Sequence, residues 1–334
     1  MRKTIIIMIL SGFVAALAAG PMEENMKPFP AWSSFLGCSK ACADYLGLDH
    51  SAGQVWGATG YGFLLNIFPG VCPSGPTAFD NGFLLHNVRS LGLEFEGYYG
   101  HSADPEFKTL QREALNFVKQ ALAENKPVFG WELDIPEYYL IVGADKDGYR
   151  FLDFDGSVKS CPVDRPGTSD IGMLEFLTVS RGESLDHLSR FKSALQFLRE
   201  YHSAPQGFAL PNYTQGLAAY DVWIESMKSP DANHWGVAYN AQVWAEARSR
   251  ALEFLIEARE LPSVKASPEL LEQAIVQFTA VSGALKDLAA MYPMPPRGDE
   301  FTPENSEKAV GFLLKARDAE RRGVDCLLQL AAGL

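Results

Sequence analysis

Three carboxylates stand at the ends of strand-like runs in the middle of this chain, with five cysteines scattered around them. Glu132 leaves the run Val128–Leu133, Glu137 enters Tyr138–Ala144, and Asp153 closes Tyr149–Phe154. Carboxyl groups at the rim of a buried sheet are either capping devices or the makings of a site. A thiolate facing one of them would have the parts for acyl transfer: the sulfur attacks a carbonyl and the carboxylate accepts a proton. Two cysteines are candidates. Cys72 sits in the stiff loop Pro69-Gly-Val-Cys-Pro-Ser-Gly-Pro-Thr77, beside Ser74 and Thr77, and Cys38 lies on a helix. Glu137 is the candidate base; its ordinary pKa of about 4.3 means that only burial would let it work near neutral pH. Glu132 or Asp153 would orient it, and Trp131 and Tyr138 would line the pocket. Further along, His234 and Tyr239 fall near a helix start, where a substrate carboxylate could be met.

Each of these residues also has a plain structural role open to it. Cys38 and Cys42 are four apart on one helix face, which suits burial. Cys72 and Cys161 both lie in Pro-flanked loops and could form a disulfide, although five cysteines leave at least one thiol free. No histidine pairs with a second ligand at zinc spacing, and no Gly-x-Ser-x-Gly elbow occurs. Gly57, Gly60 and Gly62 are not followed by Gly-Lys-Ser/Thr, so they make no phosphate loop and serve either close ligand approach or tight packing. Neither a metal nor a cofactor is expected.

The elements that must hold these groups can be read from periodicity and punctuation. Ser33 or Ser34 starts a helix that Gly47 stops. Phe79–Leu91 reads as a helix and Leu93–Tyr99 as a strand. Asp104-Pro105-Glu106 opens a long helix with Phe107, Leu110, Ala114, Phe117 and Leu122 on its apolar stripe. Three strands follow, the last two joined at Asp145-Lys-Asp-Gly148, and Met173–Val179 is a fourth. Beyond Ser180-Arg-Gly-Glu-Ser184 the strand signals stop. Five amphipathic helices are expected there: one striped by Leu185 to Leu198, one by Leu217 to Met227, one by Val237, Trp244, Arg248, Ala251 and Leu255, and two capped at Ser267-Pro-Glu269 and Thr302-Pro-Glu304.

The fold class expected is therefore α+β: a domain over residues 19–182 with helices leading into an antiparallel sheet, then an all-α bundle over 183–334. Residues 1–18 read as a secretory signal peptide, with Arg2-Lys3, an apolar run too short to span a bilayer, and Ala16-Leu-Ala18. The protein is thus expected to be exported, to the periplasm or beyond, with no stable membrane insertion after cleavage. A formal net charge of −12 and no cluster of Lys and Arg argue against a nucleic-acid partner.

The run Lys126-Pro-Val-Phe-Gly-Trp-Glu-Leu-Asp-Ile-Pro-Glu-Tyr-Tyr-Leu-Ile-Val-Gly-Ala-Asp-Lys-Asp-Gly-Tyr-Arg-Phe-Leu-Asp-Phe-Asp-Gly156 resembles the central strands of papain-like cysteine peptidases of the bacteriocin-processing type. It is closer still to the N-terminal domain of the butirosin biosynthesis protein H family. The likeness covers roughly residues 30–180. It implies a papain-like fold, with the general-base position six residues before Gly143 at Glu137, where the family has His, and the orienting position at Asp153. The nucleophile position falls near Ser34, about 13 residues before Gly47, and Cys38 lies one turn further on. The function expected on these grounds is exported, cysteine-dependent acyl transfer on an amide or ester. The alternative is a catalytically degenerate papain-like protein that holds a peptide or small metabolite in the cleft between sheet and helices.

Overall fold

The structure is a computed structural model that describes residues 21–334 apart from 205, 206, 230, 266 and 267. The expected signal peptide and the capping role given to Ser267 lie outside the described residues. In chain order the elements are α1 (Pro21–Asn25), α2 (Ser34–Tyr45), α3 (Ala52–Ala58), β1 (Asn66–Ile67), α4 (Gly82–Asn87), β2 (Leu91–His101), α5 (Phe107–Ala123), β3 (Val128–Trp131), β4 (Tyr138–Ala144), β5 (Gly148–Leu152), β6 (Val158–Pro162) and β7 (Met173–Ser184). Then come α6 (His187–Ser203), β8 (Thr214–Gln215), α7 (Leu217–Met227), α8 (His234–Ala258), α9 (Pro262–Lys265), α10 (Glu269–Met291) and α11 (Pro303–Gly333).

Six strands form one antiparallel sheet in the order β2-β7-β3-β4-β5-β6, while β1 and β8 pair separately. Alternation along β4 divides two cores. Tyr138, Leu140 and Val142 face α2 and the helices beyond, whereas Tyr139 and Ile141 face Ala114 and Val118 of α5. Both faces are covered, which is why β4 reads as an unbroken apolar run. The Asp-Gly turn closes the β4–β5 hairpin as expected, with the Asp145 amide donating to the Gly148 carbonyl at 3.0 Å. β6 was not foreseen. It is an edge strand that buries only Cys161, so it lacks an apolar rhythm. Asp104 does not cap α5; its carboxylate takes the His101 amide at 2.8 Å and the helix begins at Phe107.

Beyond β7 the described elements are helices apart from the two-residue strand β8, and this half shares one large apolar core with α2, α3 and the inner face of the sheet. Gly53 and Gly57 let α3 press against α8: a Cβ on Gly57 would stand 2.1 Å from the Phe254 ring, and one on Gly53 would stand 2.9 Å from Glu253 Cβ. Gly60 and Gly62 likewise meet Phe197 and Ala251, so these glycines serve helix packing. Inside this core lies a buried ion pair. Arg248 on α8 gives Nε and Nη2 to the two oxygens of Glu320 on α11, each at 2.7 Å. Its Nη1 donates to the carbonyls of Gly62 and Leu64, and Tyr220 of α7 donates its hydroxyl to Glu320 at 2.7 Å. No helix among the described residues is long and apolar enough to cross a membrane.

Two stability measurements check this packing. Gly57→Ala forces the Phe254 ring aside and should cost about 1–3 kcal/mol, whereas Gly283→Ala on α10, whose Cβ meets nothing within 4 Å, should stabilise by about 0.5–1 kcal/mol. Arg248→Met strands a buried carboxylate and should cost about 3–5 kcal/mol, much of which Glu320→Met in the same chain should restore. Urea midpoints read both; an Arg248→Met protein as stable as its parent would remove the pair from the core's organisation.

Candidate functional site

The first residue of α2 and the residue just before β4 meet across 103 positions of sequence. Ser34 donates its hydroxyl proton to Glu137 Oε2, and its Oγ accepts the Tyr138 amide at 3.0 Å. The other carboxyl oxygen, Oε1, accepts the hydroxyl of Tyr239 at 2.6 Å. A hydroxyl, a carboxylate and a second hydroxyl thus form a line that ties α2, β4 and α8 together. Burial raises the Glu137 pKa, and the two hydroxyl donors partly oppose that rise. The Tyr239 phenol is held well above its usual range by burial and by the carboxylate beside it.

Local sequence explains each placement. Ser34 follows Pro28-Phe-Pro30, an extended lead-in, and as the first helical residue of α2 its amide has no intrahelical acceptor. The two preceding amides, of Trp32 and Ser33, donate to Glu246 Oε2 at 2.8 and 3.3 Å. Glu137 sits at the end of the tight β3–β4 turn, where the Glu132 amide donates to its carbonyl at 2.8 Å and Glu132 takes a positive φ of 61°. Asn233 caps α8 through the Gly236 amide at 2.8 Å, and Tyr239 and Glu246, seven residues apart, project from one face of that helix toward the start of α2.

A small cavity of about 20 Å³ adjoins the line, bordered by Ser34, Cys38, Tyr138, Asp153 and Phe154 among others. That is room for about one water molecule. Ser34 itself is 8% exposed, while Glu137 and Tyr239 are half-buried.

Neither candidate cysteine is hydrogen-bonded to Glu137 among the described residues. Cys38 borders the cavity, but burial, then Cys42 and Glu137, push its thiol pKa far up, so it remains protonated. The Cys72 sulfur accepts the Ser74 hydroxyl at 2.9 Å, and the Cys72 carbonyl accepts from Asn240 at 3.0 Å. Asn240 is the neighbour of Tyr239 on α8 and points about 100° away from it, so the Cys72 loop packs on a different side of that helix. All five cysteines are free thiols; no Cys72–Cys161 bridge exists, and burial raises Cys161 to about 12.

Of the remaining candidates, Asp153 borders the cavity yet pairs with Lys159 at 2.7 Å and does not orient Glu137; Tyr239 takes that part. Glu132 is buried against the Ser169 hydroxyl at 2.9 Å. Trp131 packs on Tyr138 with ring centroids 5.0 Å apart, and the Tyr138 hydroxyl donates to buried Glu175 at 2.6 Å. His234 stacks on Phe301 at 3.6 Å, on the exposed first turn of α8. Glu175 and Glu246 were missed. Glu175 occupies an inward register on β7 with Leu177 and Val179, and a carboxylate at a core position is a readable signal. Among the described residues no group of His, Cys, Asp and Glu could hold a metal ion. A scan against protein-family models gives no match, and a comparison with curated proteins gives none.

Three carboxyls whose pKa is raised by burial have a measurable consequence. Burial raises the pKa of Glu137, Glu175 and Glu246 above the unfolded value, so the folded chain binds protons that the unfolded chain does not. Stability should therefore rise as pH falls from 7 through these raised values, and the gain should level off near the ordinary carboxylate range of about 4. Melting temperature against pH should have a shallower slope in Glu137→Gln. An unchanged slope would mean that Glu137 titrates as a solvated group.

Proposed function

We propose that this protein is an acyl-transfer enzyme, a hydrolase or transferase of amides or esters on a papain-like scaffold, in which Ser34 and not a cysteine is the nucleophile. The observation that carries the reading is the hydrogen bond from Ser34 to Glu137, itself braced by Tyr239. Nucleophile, base and orienting group in series are what covalent acyl transfer requires. The papain-like part is supported by a helix that begins at Ser34 and packs on an antiparallel sheet whose strand β4 follows directly on Glu137.

The steps follow from the bonds present. As Ser34 Oγ attacks the carbonyl carbon, its proton passes to Glu137, whose raised pKa makes it a stronger base than a solvated carboxylate. The N-terminal dipole of α2 and the Tyr138 amide stabilise negative charge developing on Oγ. Glu137 then returns the proton to the leaving amine or alcohol. Water, or an acceptor alcohol or amine, attacks the acyl-serine with Glu137 again taking a proton, and Ser34 is released with its proton restored. Export to an extracytoplasmic space is part of the proposal, on the strength of the N-terminal sequence.

A second reading is favoured by the low exposure of Ser34 and the single-water size of its cavity. In it the line of hydroxyls and carboxylate only fastens α2 to β4 and α8, and the protein is a degenerate scaffold that binds a peptide or small metabolite.

A fluorophosphonate probe, which reacts with activated serines whatever their substrate, separates the two. The enzyme reading expects labelling at Ser34, none in Ser34→Ala, and a rate about 100-fold or more lower in Glu137→Gln. Because the base must be ionised, the rate should fall as pH drops through the raised pKa of Glu137. Iodoacetamide should leave Cys38 unmodified until the chain is denatured. A folded protein that stays unlabelled belongs to the second reading.

A further inference from the structure

A groove of about 570 Å³ lies between α4, α6 and the end of α11, and it shares no residue with the Ser34 site. Its volume is that of a small-molecule site. Phe83, Phe197 and Phe208 make the floor: Phe83 stacks on Phe197 with centroids 5.0 Å apart, and Phe208 meets them at 5.7 and 5.4 Å. Along the rim run exposed cations. Lys192 and Arg199 are seven residues apart on α6, hence on one face, with His86 of α4 also bordering the groove. Lys192 reaches across to the main-chain carbonyl of Leu334 at 2.5 Å. Arg199 makes no ion pair among the described residues, and its guanidinium meets only the Gln196 side chain, at 3.4 Å. The Glu200 side-chain carboxylate on the rim is engaged by the Gln196 amide at 2.7 Å.

An aromatic floor beside a free guanidinium has a definite chemical complement. The chain as a whole is strongly acidic at −12, so two cations on one helix face create a local field opposite to that of the rest of the surface. A planar guanidinium with its donors unspent matches a carboxylate in two-point geometry. Burying an aliphatic or aryl body on the three phenylalanine rings adds the hydrophobic effect to the ionic contact.

We propose that this groove binds a monocarboxylate with an apolar body, its head on Arg199 and its tail on Phe83, Phe197 and Phe208. The site is independent of the Ser34 chemistry, and either can fail without the other.

Titration calorimetry of the intact protein with octanoate tests it, with 1-octanol as the uncharged control. Saturable binding of one octanoate per chain is expected, with octanol much weaker. Arg199→Gln should weaken octanoate at least about tenfold, and Glu200→Gln, which removes the nearby like charge, should tighten it. Ser34→Ala should leave the affinity unchanged, which keeps this result separate from that of the catalytic reading. Arg199 and Glu200 are exposed side chains on α6, so circular dichroism should show both variants folded. No saturable octanoate binding, equal binding of octanol, or an affinity unmoved by Arg199→Gln would each overturn the proposal.

Discussion

A charged pair sealed inside an apolar core sets the position of everything that touches α8. Removing an arginine and a glutamate from water is costly, and their attraction repays it only when every donor and acceptor is met. Here Arg248 spends three nitrogens on Glu320 and on two main-chain carbonyls, while Glu320 also accepts from Tyr220. Such geometry tolerates little sliding. The pair therefore fixes α8 in both rotation and translation against α7, α11 and the segment at 62–64. Tyr239 lies nine residues back along the same helix, about 14 Å at the helical rise. Locking one end as a ruler is locked carries Tyr239 to Glu137 and Glu246 to the amides before α2.

The same economy governs Glu137. A carboxylate drawn out of water without a counter-cation would ordinarily pick up a proton. Two hydroxyl donors hold the charged form in reach, while burial keeps the pKa raised. A group in that balance is a stronger base than a fully solvated or fully salt-bridged glutamate. Glu246 stands in a similar state at the start of α2, where amides take the place of hydroxyls. Two semi-buried carboxylates thus gather at one helix N-terminus, the end at which negative charge is least costly.

Local chemistry made much of this legible. The Asp-Gly turn, the apolar run of β4, the Gly47 stop and the Thr302 cap are decided within a few residues, and each appears where the pattern placed it. Arg248 within an apolar stripe already called for a buried partner, although the stripe alone could not name Glu320. The contacts that define the site are of another kind. Ser34 reaches Glu137 across 103 positions and Tyr239 reaches it across 102, and no periodicity couples such distances. The resemblance pointed to two of these positions, Ser34 and Glu137. It could not supply Tyr239, which comes from the helical half and takes the orienting part that Asp153, paired with Lys159, does not play. The strand β6 escaped because an edge strand with one buried residue carries no alternation to read.

In the proposed reaction, a glutamate base in place of an imidazole and a serine nucleophile in place of a thiol are physically one change. An imidazole beside a thiol becomes a cation when it takes the proton, and that cation lowers the thiol pKa. A carboxylate does the reverse, since it is negative before the proton moves and repels a thiolate. The effect is visible at Cys38, whose pKa Glu137 helps to raise. A hydroxyl is compatible with such a base: it stays neutral in the ground state and donates a hydrogen bond to the carboxylate, as Ser34 does. In the proposed reaction, with glutamate as base, a serine at the head of α2 is therefore the nucleophile that the electrostatics favour over the buried thiols nearby.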